Sequence, residues 1–200
     1  MSDKYRTIVA DPPWHYARRE RSGSKGGWSK TGGLGSNRSA ADQYQTIKNS
    51  EIAALPVAEQ AADNALLFLW VTNPRLYPEP TDHGIGPAEI VVAWGFRYVT
   101  LLTWHKLGPP GMGFYFRGDT EHVIVGVRGS VVIPTGLRAS NHFAASKTGH
   151  SRKPDAFYEL VERVSPGPYL ELFARRRRYG WDVWGDQAPT EAASQAEMGL

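Results

Sequence analysis

Cysteine is absent from this 200-residue chain. That excludes disulfides, an iron–sulfur cluster, a CxxC redox site and any Cys-ligated zinc module, and it suits a reducing compartment. Long apolar runs are missing as well. Residues 65–71 (ALLFLWV) fall far short of the roughly 20 residues that a membrane span needs, so they read as a buried strand. The opening MSDKYRTIVADPP lacks the basic-then-apolar pattern of a secretory leader; the expectation is a cytoplasmic protein with no membrane partner. A strong net charge is lacking too, at +3, so any attraction for a polyanion has to come from where the charge sits.

It sits unevenly. Residues 15–38 hold Arg18, Arg19, Arg21, Lys25, Lys30 and Arg38 against Glu20 alone, and residues 175–178 are four consecutive arginines. Focused positive charge of this kind suits nucleic acid, although a solvated loop and a solubilising face would use the same residues. Hydrophobic content of 41% and charged content of 22% are ordinary for a globular chain, and the length suits one domain with a real core.

Residues 5–10 read as a strand, 65–71 as a second, 98–106 as a third, 121–129 as a fourth that 131–134 can extend, 168–174 as a fifth and 181–185 as a short sixth. Helices are expected over 50–63, with Ser50 as N-cap and Pro56 as a break, over 88–95 closed by Gly95, and over 151–167. The last starts at Pro154, stops at Pro166-Gly167, and carries Phe157, Leu160, Val161 and Val164 on one face. Residues 15–43 and 107–119 are rich in Gly with Ser, Arg or Pro and read as mobile loops. Alternating helices and continuously apolar strands imply an α/β fold with a mainly parallel sheet covered on both faces. In such sheets ligands bind beyond the carboxyl ends of the strands, where Asp11, Asn73, Lys106 and Arg175 are expected to converge.

The first strand ends on Asp11-Pro12-Pro13-Trp14. A turn alone would explain a capping Asp, a stiff Pro-Pro pair and a packed Trp. The chemistry available is more specific. An exocyclic amino group on a base is a poor nucleophile because its lone pair is delocalised into the ring. A carboxylate accepting one N–H and the Pro12 carbonyl accepting the other localise that lone pair, the prolines hold both acceptors rigid, and an aromatic offers a stacking surface. The carboxylate also favours a positively charged methyl donor beside it.

DPPW resembles the Asp/Asn/Ser-Pro-Pro-aromatic motif of amino methyltransferases that use S-adenosylmethionine. In this form it is similar to the MT-A70 family, which methylates the exocyclic amino group of adenine. The resemblance runs in order through residues 44–57, 65–73, 102–106, 121–129, 150–167 (HSRKPDAFYELVERVSPG) and 170–187 (LELFARRRRYGWDVWGDQ). It implies a Rossmann-like methyltransferase fold, circularly permuted so that DPPW comes first and the cofactor segment last. Residues 1–187 then form a single methyltransferase domain and 188–200 a polar tail.

By position, the resemblance makes Asp11, Pro12, Pro13 and Trp14 catalytic. It sets Tyr44 and Ser151 against the substrate, and Lys153, Glu171, Arg175, Asp186 and Gln187 against S-adenosylmethionine; the residues themselves add Tyr16 and Lys106 on the substrate side and Asp11 beside the methyl donor. No metal is implied. Ala174 stands where the family has Gly, and Asp186 where it has Asn. Bottom-up, Lys153 serves equally well as an exposed charge, whereas Glu171 inside an apolar strand needs a partner. The implied partner is nucleic acid, with monomer and homodimer both open. With no cysteine for zinc fingers and no length for an added RNA-binding module, the chain resembles compact bacterial and phage members, and the expected target is an adenine in DNA, single-stranded or locally opened. Tyr16, Trp28 and residues 114–116 carry rings that stack on splayed bases or simply pack. An RNA substrate, a non-catalytic nucleic-acid-binding subunit, and an enzyme for another amino group, such as that of cytosine or glutamine, are the competing readings.

Overall fold

The computed structural model describes residues 4–16, 46–111, 115–147 and 152–185. Most of the basic loop over 15–43, with Trp28 and Tyr44, lies outside the described residues, as do Phe114, Ser151, Asp186, Gln187 and the tail.

Among the described residues seven strands build one sheet in the order β5-β3-β4-β2-β1-β6-β7. They are β1 (Tyr5–Ala10), β2 (Ala61–Val71), β3 (Arg97–Leu107), β4 (Thr120–Arg128), β5 (His142–Ser146), β6 (Tyr169–Leu172) and β7 (Trp181–Trp184). β1 runs parallel to β2 and β6, β6 to β7, and β3 to β5, while β4 is antiparallel to both β2 and β3. Six strands therefore end at one edge, and β4 begins there. This is the mainly parallel, Rossmann-like sheet that the alternation of elements implied, with DPPW directly after its first strand and the β6–β7 pair last in the chain.

Alternate residues of the apolar strands feed two cores, as a pleat of period two requires. Ile8, Leu67 and Leu69 join Ile52, Ile90 and Trp94 on one face, while Val9, Phe68 and Trp70 join Phe157, Tyr158 and Val161 on the other. The first face is covered by α1 (Asn49–Ala53), α2 (Val57–Gln60) and α3 (Pro87–Ala93), the second by α4 (Asp155–Val164). Burial on both sides is why ALLFLWV is uninterruptedly apolar. Among the described residues no helix is long and apolar enough to cross a membrane.

Several expectations need correction. The helix over 50–63 is two short helices separated by Pro56, and residues 61–64 already belong to β2. Its N-cap is Lys48 rather than Ser50: the Glu51 carboxylate reaches back to accept the Lys48 backbone N–H at 2.9 Å, so a first-turn acid satisfies an end that the serine hydroxyl does not. β4 stops at Arg128, and residues 131–134 do not extend it. Gly129 turns the chain with φ +63°, and a Cβ there would fall 2.1 Å from the Asp63 carbonyl oxygen. β5 is an edge strand that alternates exposed and half-buried residues but has one large apolar side chain, Phe143, and sequence reading gave no strand there.

Candidate active site

β1 climbs to Ala10, and Asp11 emerges at the carboxyl edge with its backbone N–H directed at Leu172 O of neighbouring β6. The next residues form a tight turn in which Pro12 O accepts the Trp14 N–H at 2.8 Å and Pro13 O accepts the Ile47 N–H at 3.0 Å. Trp14 is buried, and its indole N–H donates to Trp70 O at 3.0 Å. The open stacking surface expected of Trp14 is therefore corrected. Its indole packs the turn onto the core, and Tyr16, two residues on, is half-buried. The Tyr16 hydroxyl is 2.7 Å from Thr72 Oγ1, just past the end of β2, and its ring lies 5.9 Å from the buried Arg75 guanidinium. Arg75 is itself held by Asp82 at 2.6 Å and by Asn49 Oδ1 at 3.0 Å.

Around Asp11 the side chains form an ordered row of alternating charge. Lys153 Nζ lies 3.1 Å from Asp11 Oδ1 and 2.8 Å from Glu121 Oε2, and the other Glu121 oxygen meets Lys106 Nζ at 2.5 Å. Lys153 comes from the segment before α4, Glu121 from the start of β4 and Lys106 from the end of β3. Burial disfavours the Lys153 ammonium, yet the Asp11 and Glu121 carboxylates outweigh it and hold its pKa above the ordinary lysine value. Burial likewise raises Glu121, but Lys153 and Lys106 reverse the sign and keep it below the usual carboxylate range. Both lysines are thus charged partners of acids rather than exposed charges. Lys106, expected against the substrate, is seated on Glu121 with its ammonium 5.2 Å from the Trp104 ring centroid.

A second polar row flanks the first. Asn73, one position past Thr72, donates to Thr120 O and Oγ1 and receives the His122 Nε2 proton at 2.7 Å, while His122 Nδ1 meets the Thr103 hydroxyl at 3.0 Å. Burial lowers the His122 pKa, so the neutral ring with its proton on Nε2 satisfies both neighbours. Of the four residues expected to converge, Asp11 and Lys106 share the acidic–basic row and Asn73 lies beside it through His122 and Thr120. Arg175 lies three residues beyond β6, half-buried.

At β6 the Glu171 carboxyl is buried. Its Oε1 accepts the Tyr158 hydroxyl at 2.6 Å, and its Oε2 has no hydrogen-bond partner among the described residues. Burial pushes its pKa up to about 7, opposed by the Tyr158 hydrogen bond and reinforced by the Asp11 charge. Two of the four consecutive arginines are tied inward to α4. Arg178 forks onto both Glu162 oxygens at 2.7 and 2.8 Å, Arg176 pairs with Asp155, and both guanidiniums lie about 5 Å from the Tyr158 ring. Reading the whole run 175–178 as a polyanion surface is corrected to that extent. Gly185, with φ +152°, lets the end of β7 close on Phe173; a Cβ there would sit 2.9 Å from Phe173 Cα. Sequence reasoning missed Glu121 and Tyr158. The one signal for Glu121 was an acid opening an otherwise apolar strand.

A methyl donor carrying an amino acid head, a sulfonium and ribose hydroxyls needs acids and a cation at the carboxyl edge of the sheet. The unpartnered, buried Glu171 Oε2 and the Lys153 ammonium fit those needs. The MT-A70 profile matches residues 5–187. Type II methyltransferase M.MunI of a Mycoplasma species is 32% identical over 204 residues, covering 98% of this chain and 84% of that protein. N6-methyladenosine RNA methyltransferase MTA1 of Cryphonectria parasitica is 28% identical over 190 residues, 90% of this chain and 50% of that one. Human N(6)-adenosine-methyltransferase catalytic subunit METTL3 is 27% identical over 199 residues, 92% of this chain and 28% of that one. The chain thus spans half or less of the latter two. With DPPW at the carboxyl edge of a mainly parallel sheet and the profile running from β1 past β7, the chain belongs to the MT-A70 family of S-adenosylmethionine-dependent adenine-N6 methyltransferases.

Proposed function

We propose that this edge of the sheet methylates the exocyclic amino group of an adenine within a nucleic acid. The observation that carries the reading is the row Asp11–Lys153–Glu121–Lys106 at the carboxyl ends of the strands. When bound, S-adenosylmethionine supplies an electrophilic methyl group. Asp11 accepts an amino N–H and is placed to take the proton that the nitrogen loses on gaining the methyl. Pro12 O, whose first lone pair meets the Trp14 N–H, has a second for the other N–H. Lys153, itself held by Glu121, keeps Asp11 oriented. Lys153, Glu171 and Arg175 would hold the cofactor, and Tyr16 would face the target base; the resemblance adds Asp186 and Gln187 to the cofactor set and Tyr44 and Ser151 to the substrate set.

Between nucleic acids, the relatives' names weigh toward RNA, against the DNA preference expected from the sequence. Several are adenosine methyltransferases, and one is named for RNA. DNA keeps one specific support, the type II methyltransferase that matches this chain over most of both lengths. Labelled methyl transfer to matched RNA and DNA oligonucleotides, each single- and double-stranded, separates the two. RNA transfer well above DNA supports the first and the reverse supports the second. Asp11→Ala serves as the control and should lower turnover by roughly 100-fold or more. Wild-type turnover in that variant, or transfer to cytosine instead of adenine, would refute the assignment.

A further inference from the structure

The connection between β3 and β4 is pinned where it leaves the sheet and again farther out. Lys106 N–H donates to Asp119 O at 2.7 Å and Gly111 N–H to Gly118 O at 2.7 Å. Arg117 folds back onto Pro110 O and Gly111 O at 3.0 and 3.2 Å, and Lys147, beyond β5, donates to Pro109 O at 2.8 Å. On this braced stem Tyr115 and Phe116 are each 90% exposed. Two consecutive rings exposed to water are unfavourable for an isolated fold and mark a surface that something covers.

The stem grows from Lys106 and Glu121, which belong to the row around Asp11. The rings therefore stand at the same edge as the catalytic carboxylate. The cations fixed on this stem are Arg117 and Lys147, which brace it through its carbonyls, and its acid Asp119 faces His105 at 3.8 Å. Flat apolar rings interleaved with cations are the composition that grips a single strand, because every base offers a π face and every linkage a phosphate. An adenine drawn out to Asp11 also leaves its neighbours unstacked.

We infer that Tyr115 and Phe116 form a stacking platform for the nucleotides flanking the target adenine, an inference that rests on the function proposed above. The platform contributes to holding the strand and takes no part in methyl transfer itself.

The test compares wild type with Tyr115→Ala/Phe116→Ala and with the ring-preserving Tyr115→Phe/Phe116→Tyr. The probe is a single-stranded oligonucleotide with 2-aminopurine beside the target adenine. The alanine pair should weaken oligonucleotide binding by about 10-fold or more, raise KM for the oligonucleotide, and abolish the 2-aminopurine quenching seen on binding. The slope of log affinity against log salt should stay the same, because no phosphate contact is removed. The ring-preserving pair should retain quenching and affinity. Unchanged affinity and quenching in the alanine pair would overturn the platform. So would loss of a wild-type dimer with oligonucleotide affinity intact, which would assign the rings to a protein interface. Binding and quenching are read without turnover, so a wild type that binds the strand but methylates no nucleic acid would refute the proposed function and leave the platform judged on its own.

Discussion

Glu171→Gln should make the protein more stable at neutral and alkaline pH, and the size of the effect follows from its surroundings. The wild-type carboxyl is buried at β6, receives one hydrogen bond from Tyr158, and has its second oxygen unpartnered. Its pKa rises from 4.5 to about 7. Between those values the folded protein holds a proton that the unfolded chain has released, so stability falls as pH rises through that window. The penalty is complete above about 7 and absent below about 4.5. At roughly 1.4 kcal/mol per pH unit it amounts to about 3 kcal/mol. Glutamine keeps an oxygen for the Tyr158 hydroxyl and cannot ionise. The assay is urea unfolding of both proteins, free of cofactor, at matched pH values from 4 to 8.5. The difference in unfolding free energy should be small at the acid end and grow in favour of the variant to about 3 kcal/mol. A difference independent of pH would refute the claim that burial, rather than pairing, governs this carboxyl.

Lys153→Met should leave Asp11 and Glu121 with one cation fewer in a site where both depend on it; the expected destabilisation is about 3–5 kcal/mol, read by chemical unfolding. Adding Glu121→Gln to that variant should recover part of the loss. Arg75→Met should similarly strand Asp82, lower the melting temperature, and weaken substrate binding through Tyr16, whose ring faces the guanidinium; unchanged substrate KM would confine Arg75 to stability. Arg178→Ala should cost about 1–2 kcal/mol of stability by releasing Glu162 and the Tyr158 ring, with no change in the salt slope of nucleic-acid binding, whereas a reduced slope would return Arg178 to the polyanion surface.

The sequence by itself determined the parts whose signals are local. The apolar runs at residues 5–10 and 65–71 are strands because burial on both faces demands it, and Pro154 with Phe157 and Val161 specifies α4 through caps and a helical period. DPPW at a strand end carried the chemistry and the family before any coordinate did. The tertiary structure decided what depends on strand direction and pairing. Glu121 was invisible as a site residue because nothing local says that β4 runs against its neighbours. Only that reversal brings the start of the strand, instead of its end, to the edge where Asp11 emerges. Lys106 and Lys153 read as substrate and cofactor cations, yet folding gives each a carboxylate, since a charge drawn toward low dielectric is stable only beside its opposite. Arg176 and Arg178 turn inward for the same reason, toward acids one helix face away. β5 escaped detection because an edge strand half in water has no apolar pattern to read, and its pairing with β3 exists only once the sheet is assembled.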